Sequence, residues 1–256
     1  MSNNKIFDVI EKRREEFCEG FGLKIFGIFY FGSENYNLSD KNSDVDCRLI
    51  YFPPVQDFGK QFEIQDYEAN ENQEHIECMD IKMFFHGLSI LDLQILESLS
   101  TDYYWINPDF ETEWEELRSI HDKISHCNER AFVENLKFKI EITLIRLQYL
   151  EGEPSLIKEC GYAAKAAHHI LRLEEMWDKY VTGTSFKEAS LSTQRDLLIS
   201  MKRGEIPYDE AERLWTESSN RLNQKITAYT PKKTDLRIEQ KIYNIYQKIL
   251  KKYLGE

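Results

Sequence analysis

Apolar and polar positions follow two different patterns along the chain. Before residue 109, short apolar runs of strand length are separated by polar segments. Beyond it, almost all apolar residues recur three and four positions apart, the spacing of one face of an amphipathic helix. The chain is therefore predicted to change from mainly strands to mainly helices at this point.

These patterns predict the elements in chain order. Strands are predicted over residues 24–31, 47–52, 75–85 and 101–108. Helices are predicted over residues 4–19, 87–99, 110–125, 129–150, 155–181, 191–202, 207–228 and 234–253. Residues 55–74 are polar and are predicted mainly as loop. The order of elements predicts an α+β fold, with a domain that contains the strands over residues 1–108 and a helical domain over 109–256.

A Gly-Ser turn and a pair of carboxylates lie between the first two predicted strands. Gly32 and Ser33 end the first apolar run, and Asp44 and Asp46 lead into the second. The glycine allows a close backbone approach, so the Ser33 hydroxyl and nearby N–H groups can donate to phosphate oxygens. Two carboxylates on one strand face repel each other unless a cation lies between them, and their hard oxygen atoms suit Mg²⁺. The alternative is that these are turn and cap residues of a surface loop.

A second group of polar residues follows helical spacing in the C-terminal half. Lys165, His169 and Arg172 are four and three positions apart, so they share one helix face. Neighbouring alanines are expected to keep this surface low, which would let a triphosphate approach the basic side chains. The alternative is that Arg172 pairs with acidic residues of its own helix and that the histidines fill a polar part of the core. His168 faces another side and is predicted to be structural.

Composition and charge narrow the class of protein. Hydrophobic residues make up 41% and aromatic residues 13% of the chain, which predicts a folded core. The net charge of -12 argues against a broad, non-specific grip on nucleic acid, although a local basic groove is compatible with it. No apolar run is long enough for a membrane span, and the N-terminus has no secretory pattern. Five cysteines without a CxxC motif indicate reduced thiols in a cytoplasmic protein.

The stretch Gly32-Ser33 followed by Asp44-Val45-Asp46 resembles the DNA polymerase β-like nucleotidyltransferase superfamily, in particular its bacterial and phage branch. This resemblance implies a nucleotidyltransferase mixed β-sheet with flanking helices, followed by an all-helical half that completes the nucleotide cleft. It also implies a third acidic residue on a later strand. Asp80 is the expected residue because Asp80-Ile81-Lys82 matches the branch, and Glu77 is the alternative. Asp80 could instead be a helix N-cap, since a helical pattern follows it.

The resemblance also implies the site residues and cofactor. Mg²⁺ or Mn²⁺ in a two-ion site is expected to be held by the catalytic carboxylates Asp44, Asp46 and Asp80. The segment KAAHHILRL is similar to a Lys…His…Arg helix of the same branch. The expected nucleotide-binding residues are Gly32, Ser33, Asn35, Tyr36, Ser43, Lys165, His169 and Arg172.

The expected activity is metal-dependent nucleotidyl transfer from an NTP such as ATP to an acceptor hydroxyl, with release of pyrophosphate. The acceptor left open by the sequence is an RNA or tRNA end, a protein or a small molecule. A rival hypothesis is a non-catalytic nucleotide-binding partner in a toxin or defence system. No membrane partner is expected, and the sequence does not predict an oligomeric state.

Overall fold

The computed structural model of the protein describes residues 3–20, 23–40, 43–55, 67–69 and 74–255. The first element is helix α1 (Asn3–Arg14), which continues into a π-helical segment (Glu15–Gly20). The strands are β1 (Ile25–Phe31), β2 (Val45–Tyr51), β3 (Tyr67–Ala69), β4 (Glu74–Asp80) and β5 (Tyr104–Ile106). Between β4 and β5 lie helices α2 (Ile81–Ser89) and α3 (Leu93–Ser100).

The five strands form one mixed sheet in the order β3-β4-β2-β1-β5. Strand β2 pairs antiparallel with β1 and parallel with β4, while β5 lies antiparallel on the other side of β1. Strand β1 is buried along almost its whole length, which explains why its sequence is a continuous apolar run instead of an alternating one. The predicted α+β fold class is confirmed.

The sheet is covered on both faces. Helix α1 packs on one face, where Ile6, Val9 and Ile10 lie in one core cluster with Ile28 and Leu49 of the central strands. The opposite face carries an aromatic cluster formed by Phe26, Phe29, Phe84 and Trp114, with neighbouring ring centroids 5.0–6.2 Å apart. The central strands are thus held between two buried apolar layers.

The predicted third strand is too long at its C-terminal end. Strand β4 stops at Asp80, whose side chain accepts the Lys82 N–H at 2.7 Å and caps helix α2. Ile81, Phe84 and Leu88 are buried at helical spacing, so residues 81–85 are helical. The helix predicted over 87–99 is in fact two helices, because the chain turns at Leu91, whose φ is +54°.

Two further predictions differ in extent. The strand predicted over 101–108 is ordered as a strand only over Tyr104–Ile106. The predicted loop 55–74 contains the short strand β3 and the first residue of β4. Residues 56–66 and 70–73 of that loop lie outside the described residues.

The rest of the described chain is helical, as the spacing predicts. The helices are α4 (Glu111–Arg118), α5 (His121–Ser125), α6 (Glu129–Gln148), α7 (Pro154–Cys160), α8 (Ala164–Tyr180), α9 (Phe186–Ser190), α10 (Arg195–Lys202), α11 (Tyr208–Ala228) and α12 (Leu236–Leu254). The helix predicted over 155–181 is divided at Gly161, which adopts a φ of +84° and ends α7 in a left-handed cap.

The chain divides into two compact units. The sheet unit comprises Met1–Asn35, Ser39–Asn128 and Thr234–Glu256, and the helical unit comprises Tyr36–Leu38 and Glu129–Lys233. This division differs from the predicted boundary at residue 108, since α4, α5 and α12 belong to the sheet unit.

Aromatic packing explains why α12 returns to the sheet unit. The Tyr246 ring stacks on Phe85 with centroids 4.8 Å apart, and Tyr253 stacks on Phe52 at 4.4 Å. Tyr253 also donates its hydroxyl hydrogen to the Pro53 carbonyl at 3.0 Å. These contacts join residues far apart in sequence, so helical periodicity alone does not reveal them.

The helical unit is built around α8. Within it, α8 packs against α6, α9, α10 and α11. The Phe132 ring of α6 stacks on Tyr180 of α8 with centroids 3.8 Å apart, and Trp177 lies edge-on to Tyr229. Within the described ranges of both units, no helix combines the length and apolarity needed to cross a lipid bilayer.

Candidate functional site

The turn after β1 depends on a glycine. Gly32 has a φ of +131°, and a β-carbon built there would lie 3.2 Å from the Tyr30 hydroxyl oxygen and 3.8 Å from Asp46 Oδ2. A short 3₁₀ helix, Ser33–Tyr36, follows directly. Backbone conformation and close neighbours therefore both favour glycine at this position.

Several polar groups of this turn are used inside the sheet unit. The Gly32 N–H donates to Glu97 Oε1 at 2.7 Å, and the Glu34 N–H donates to the Tyr30 hydroxyl oxygen at 3.1 Å. The Asn35 N–H donates to the Gly32 carbonyl at 3.1 Å. These three N–H groups do not point to a phosphate, contrary to the expectation from the Gly-Ser sequence.

Tyr30 shows how closely the turn is packed. Burial raises the pKa of its hydroxyl well above the usual range, although hydrogen bonds from the Glu34 backbone and the Ser33 side chain act in the opposite direction. The phenol therefore stays protonated over the ordinary pH range. Its hydroxyl fixes the Ser33 side chain and the start of the 3₁₀ helix on one side.

Glu97 is a buried carboxylate that the sequence reasoning missed. It lies on α3, is 6% exposed, and accepts both the Gly32 N–H and the Asn35 side-chain N–H, the latter at 3.0 Å. The Asn35 Oδ1 atom in turn accepts the Thr101 hydroxyl at 2.8 Å. Asn35 thus serves the turn itself instead of offering its amide to a nucleotide. An acidic residue inside the otherwise buried stretch Ile95–Leu99 is the signal that could have revealed Glu97.

The acid pair lies beside this turn. Asp46 is half-buried in β2, opposite Phe31 of β1 in the strand register, and its carboxylate lies close to Gly32. Asp44 is exposed and precedes β2 by one residue, so the alternation of the strand places it on the side of Asp46.

Ser43 orders the turn just before the acid pair. It is 6% exposed, and its Oγ accepts the Asp40 N–H at 2.8 Å. It therefore positions the backbone just before Asp44. The nucleotide contact expected of Ser43 stays a prediction. The structure brings Gly32 and Asp46 together, Ser33 directly follows Gly32, and Asp44 lies two residues before Asp46 in the chain.

Asp80 is not brought to the acid pair. Strands β2 and β4 run parallel, with Asp46 opposite His75 and Tyr51 opposite Asp80. Five strand residues therefore separate the level of Asp46 from that of Asp80, which amounts to roughly 16 Å. The Asp80 carboxylate caps α2 and contacts Lys82 Nζ at 3.1 Å. The structure thus has the helix-cap arrangement that the sequence left open.

Glu77, the alternative third acid, lies closer to Asp46 but is engaged. It is opposite Arg48 in the register and accepts the guanidinium at 2.6 and 3.1 Å. Arg48 is fully buried and also donates to the Gln94 carbonyl and to the Ser98 hydroxyl, both at 2.7 Å. The Glu77 carboxylate therefore balances a buried cation.

Two carboxylates remain as possible metal ligands. Among the residues that the structure describes, no group of three or more His, Cys, Asp or Glu side chains could hold a metal ion. Asp44 and Asp46 still fit a hard cation such as Mg²⁺, which commonly takes one or two protein carboxylates and keeps water or phosphate oxygens in its other positions. They do not make up the expected three-carboxylate set.

The basic face of α8 belongs to the helical unit. Lys165 is exposed, whereas His169 and Arg172 are half-buried on the same side of the helix. Ala163, Ala164, Ala166 and Ala167 are all buried. The alanines therefore pack into the helical unit. The sequence had instead suggested that they would keep the surface of the helix low.

Tyr36 lies under the Arg172 side chain. The guanidinium carbon is 3.7 Å from the centroid of the Tyr36 ring, a cation–π contact. The Tyr36 carbonyl accepts the Ser192 N–H at 3.0 Å, which fixes this segment within the helical unit. Tyr36 is thus a support for Arg172, and the structure groups it with the predicted basic residues.

The acidic residues of α8 are paired with other groups. Glu174 binds Arg221 and Lys225, with the closest atoms 2.8 Å and 3.0 Å away. Glu175 binds Lys179 at 2.8 Å. The alternative explanation of Arg172, an ion pair with acids of its own helix, is therefore not what the structure contains.

Two buried nitrogen atoms distinguish this face. His169 Nδ1 and Arg172 Nε are buried and have no hydrogen-bond partner among the described residues. Burial, and secondarily the charge of Arg172, holds the pKa of His169 well below its usual range, so the imidazole is neutral near pH 7.

His168, the neighbour of His169, has a partner. Its Nδ1 lies 2.9 Å from the Leu198 carbonyl, and burial followed by the charge of Arg172 lowers its pKa to about 3. Buried polar atoms in native proteins are usually paired, so the contrast marks His169 and Arg172 as groups that can receive a ligand.

No protein-family model matches the chain, and a comparison with curated proteins finds no match. The resemblance to nucleotidyltransferases therefore depends on the residues of the Gly-Ser turn, the acid pair and the α8 face.

Proposed function

We propose that the protein is a metal-dependent nucleotidyltransferase that transfers an NMP from an NTP to an acceptor hydroxyl and releases pyrophosphate. The main support is the position of the acid pair at the Gly32 turn. Asp46 Oδ2 lies 3.8 Å from where a Gly32 β-carbon would be, and Asp44 continues the same strand face. An acid pair beside a tight, closely packed turn suits positioning and charge neutralisation, on which phosphoryl-type transfer mainly depends.

The residues of the sheet unit have distinct roles in this proposal. Asp44 and Asp46 would hold the cation, and the Glu97-bound turn keeps Ser33 in a fixed position beside them. Mg²⁺ or Mn²⁺, when bound by these carboxylates, supplies positive charge that neutralises the triphosphate and the leaving pyrophosphate. The acceptor oxygen attacks the α-phosphorus in line with the departing oxygen, so the bond to pyrophosphate breaks as the new P–O bond forms, and the hydroxyl proton passes to solvent water. Because Asp80 lies at the other end of its strand pair, it is not assigned the role of general base.

The α8 face is a candidate anion-binding group of the helical unit. Arg172 presents a planar fork that suits phosphate oxygens, and its Nε has no partner among the described residues. The neutral His169 can donate one hydrogen bond, and the exposed Lys165 adds a mobile positive charge. We propose that these three side chains bind phosphate groups of the nucleotide.

Label transfer tests the proposal. The protein is incubated with each α-labelled NTP, Mg²⁺ or Mn²⁺, and three acceptor classes: small RNA, a protein mixture and aminoglycosides. We expect label on one acceptor class, and a loss of at least about a hundredfold in Asp44→Asn and Asp46→Asn, because charge stabilisation of the transferred group would be removed.

Asp80→Asn is the matched control. Asparagine is a good N-cap, so this variant keeps the helix end and removes only the carboxylate charge. We expect it to retain most of the activity. If it is as inactive as Asp46→Asn, Asp80 is a third ligand of the metal ion. If Asp44→Asn and Asp46→Asn both keep wild-type activity, the metal-site assignment is wrong.

Non-catalytic nucleotide binding is a second candidate function, and the separation of Asp80 from the acid pair favours it. Under this hypothesis an NTP stabilises the protein but no acceptor class receives label. Linkage gives a stabilisation of about 2.7 kcal/mol at a hundredfold excess of nucleotide over its Kd. A thermal-shift measurement made beside the label-transfer assay separates the two functions, because this hypothesis requires binding without transfer.

A further inference from the structure

Helix α6 carries a row of large apolar side chains on its outer side. Phe138 is 63% exposed, Ile145 38% and Tyr149 68%, and Ile142 between them is half-buried. The spacing of these four residues is four, three and four, and Tyr149 directly follows the last residue of α6, with its N–H donating to the Ile145 carbonyl at 2.9 Å. The four side chains therefore form one continuous stripe along the helix and its C-terminal end. The opposite side of α6 is buried in the helical unit through Phe132, Leu136, Ile140 and Leu147. Helix α6 thus has a second apolar face in contact with water.

This stripe differs from ordinary surface hydrophobicity. Single exposed apolar residues are normal, but a contiguous row marks an interaction surface. The spacing is also that of the a and d positions of a coiled coil, with Phe138 and Ile145 at d and Ile142 and Tyr149 at a. A partner helix that lies along α6 would cover the whole row.

The charged residues beside the stripe indicate what that partner helix is. Glu134 and Glu141 flank it on one side, at g positions, and Lys139 and Arg146 flank it on the other, at e positions. In a parallel pair of identical helices, each g residue faces the e residue five positions later on the other helix. Glu134 then meets Lys139 and Glu141 meets Arg146, while an antiparallel pair would place like charges opposite each other.

Asn135 supports the same arrangement. It lies seven residues before Ile142, at the preceding a position, and is half-buried. A single asparagine at an a position fixes the register of parallel two-stranded coiled coils, because its amide pairs best with another amide at the same level. In the single chain its Nδ2 also donates to the Ala131 carbonyl at 3.2 Å.

We propose that the α6 stripe is covered by the α6 stripe of a second copy of this chain, in a parallel two-fold dimer. Each stripe residue meets its own counterpart across the axis, as a two-fold interface requires. The row spans about 16 Å of helix, so the seam between the two copies is short. The assembly is independent of nucleotidyl transfer.

Sedimentation over a range of protein concentrations tests the dimer. The wild-type chain shifts from monomer to dimer, and Phe138→Glu shifts this equilibrium at least about a hundredfold towards monomer, because a charge is placed in the apolar seam. The matched control is Tyr243→Glu on α12, where the tyrosine is 55% exposed but lies outside the stripe. It dimerises like wild type. Circular dichroism checks that both variants are folded.

Charge reversal tests the parallel orientation. Glu141→Arg and Arg146→Glu each weaken the dimer roughly tenfold, because each places like charges opposite each other twice. The double variant recovers the wild-type equilibrium to within about threefold. A wild-type chain that stays monomeric overturns the proposal, as does a dimer that Phe138→Glu leaves intact. Single reversals without effect overturn the parallel orientation.

Discussion

The Gly32 turn and the α8 face carry the two halves of the proposed chemistry, yet their polar groups differ in whether they are hydrogen-bonded. In the turn, the Gly32, Glu34 and Asn35 N–H groups all donate to acceptors inside the sheet unit. On α8, buried nitrogens of His169 and Arg172 have no hydrogen-bond partner among the described residues. The first region has its hydrogen bonds in place, whereas His169 Nδ1 and Arg172 Nε gain hydrogen bonds only when something binds. A rigid turn and an unfilled basic face respond differently to mutation.

Removal of the Glu97 carboxylate is expected to have the largest effect on stability. Glu97→Ala leaves the Gly32 N–H and the Asn35 amide without their acceptor, and it removes a hydrogen-bonded charge from a 6% exposed position. We expect the free energy of unfolding to fall by about 3 kcal/mol, as measured by urea denaturation.

Glu97→Gln sharpens this test. The glutamine keeps one acceptor oxygen and nearly the same shape, so we expect a loss of about 1 kcal/mol. If both variants are as stable as wild type, the turn does not depend on Glu97 and the proposed contrast between the two regions fails.

Arg172 is expected to behave in the opposite way. Arg172→Met removes a guanidinium whose Nε lacks a partner, so the free energy of unfolding should change by less than about 1 kcal/mol. Nucleotide affinity should fall about tenfold, because a charge-assisted contact to phosphate is lost. Calorimetric titration with an NTP and urea denaturation measure the two quantities.

Arg221→Met is the matched control for Arg172. Arg221 is a half-exposed arginine that pairs with Glu174 at 2.8 Å and is assigned no role towards the ligand. Its loss should leave nucleotide affinity unchanged. A large loss of stability in Arg172→Met with unchanged affinity would assign Arg172 to the scaffold.

The pH dependence of stability tests the buried imidazole on α8. The unfolded chain protonates His169 near pH 6.5, whereas burial and the nearby Arg172 charge keep it neutral in the folded chain to lower pH. The unfolded state therefore binds more protons below pH 6.5, and the free energy of unfolding falls as the solution is acidified.

His169→Gln should remove part of that slope between pH 6.5 and 4, as followed by urea denaturation at each pH. His168 retains its own contribution in this variant, so the slope becomes shallower without vanishing. An unchanged slope would show that His169 is protonated as easily in the folded chain as in the unfolded one.

The smallest expected effect comes from the ring beneath Arg172. Tyr36→Leu removes a cation–π contact of 3.7 Å, which is worth about 0.5–1 kcal/mol. We expect a loss of stability of that size and a slightly weaker NTP affinity, because the guanidinium is less well oriented. Tyr36→Phe keeps the ring and should therefore keep the cation–π contact. A loss in Tyr36→Leu as large as that of Glu97→Ala would mean that the ring supports the fold instead.

The local sequence pattern was sufficient to predict those strands and helix faces that depend only on their own residues. The apolar runs of β1 and β2 and the positions of Asp44 and Asp46 next to them follow from period and turn chemistry. The shared face of Lys165, His169 and Arg172 follows from helical spacing.

Long-range packing accounts for what the sequence could not reveal. The distance between Asp80 and Asp46 depends on the register of β4 against β2, which no local pattern encodes. The capping role of Asp80 also converts residues that have strand-like composition into a helix. Glu97 is recognised only once α3 is placed against the Gly32 turn, and α12 belongs to the sheet unit because of aromatic contacts with Phe52 and Phe85.

The return of α12 to the sheet unit has a consequence for the order of synthesis. The helical unit is an insertion, because residues 129–233 lie between two parts of the sheet unit. A ribosome therefore delivers all of the helical unit before it delivers the helix whose Tyr253 covers Phe52. Synthesis of the sheet unit begins first and ends last. Until α12 has been made, the aromatic layer near Phe52 and Phe85 lacks its cover. A nascent chain stalled before residue 234 should expose that layer to chaperones even though its helical unit is finished.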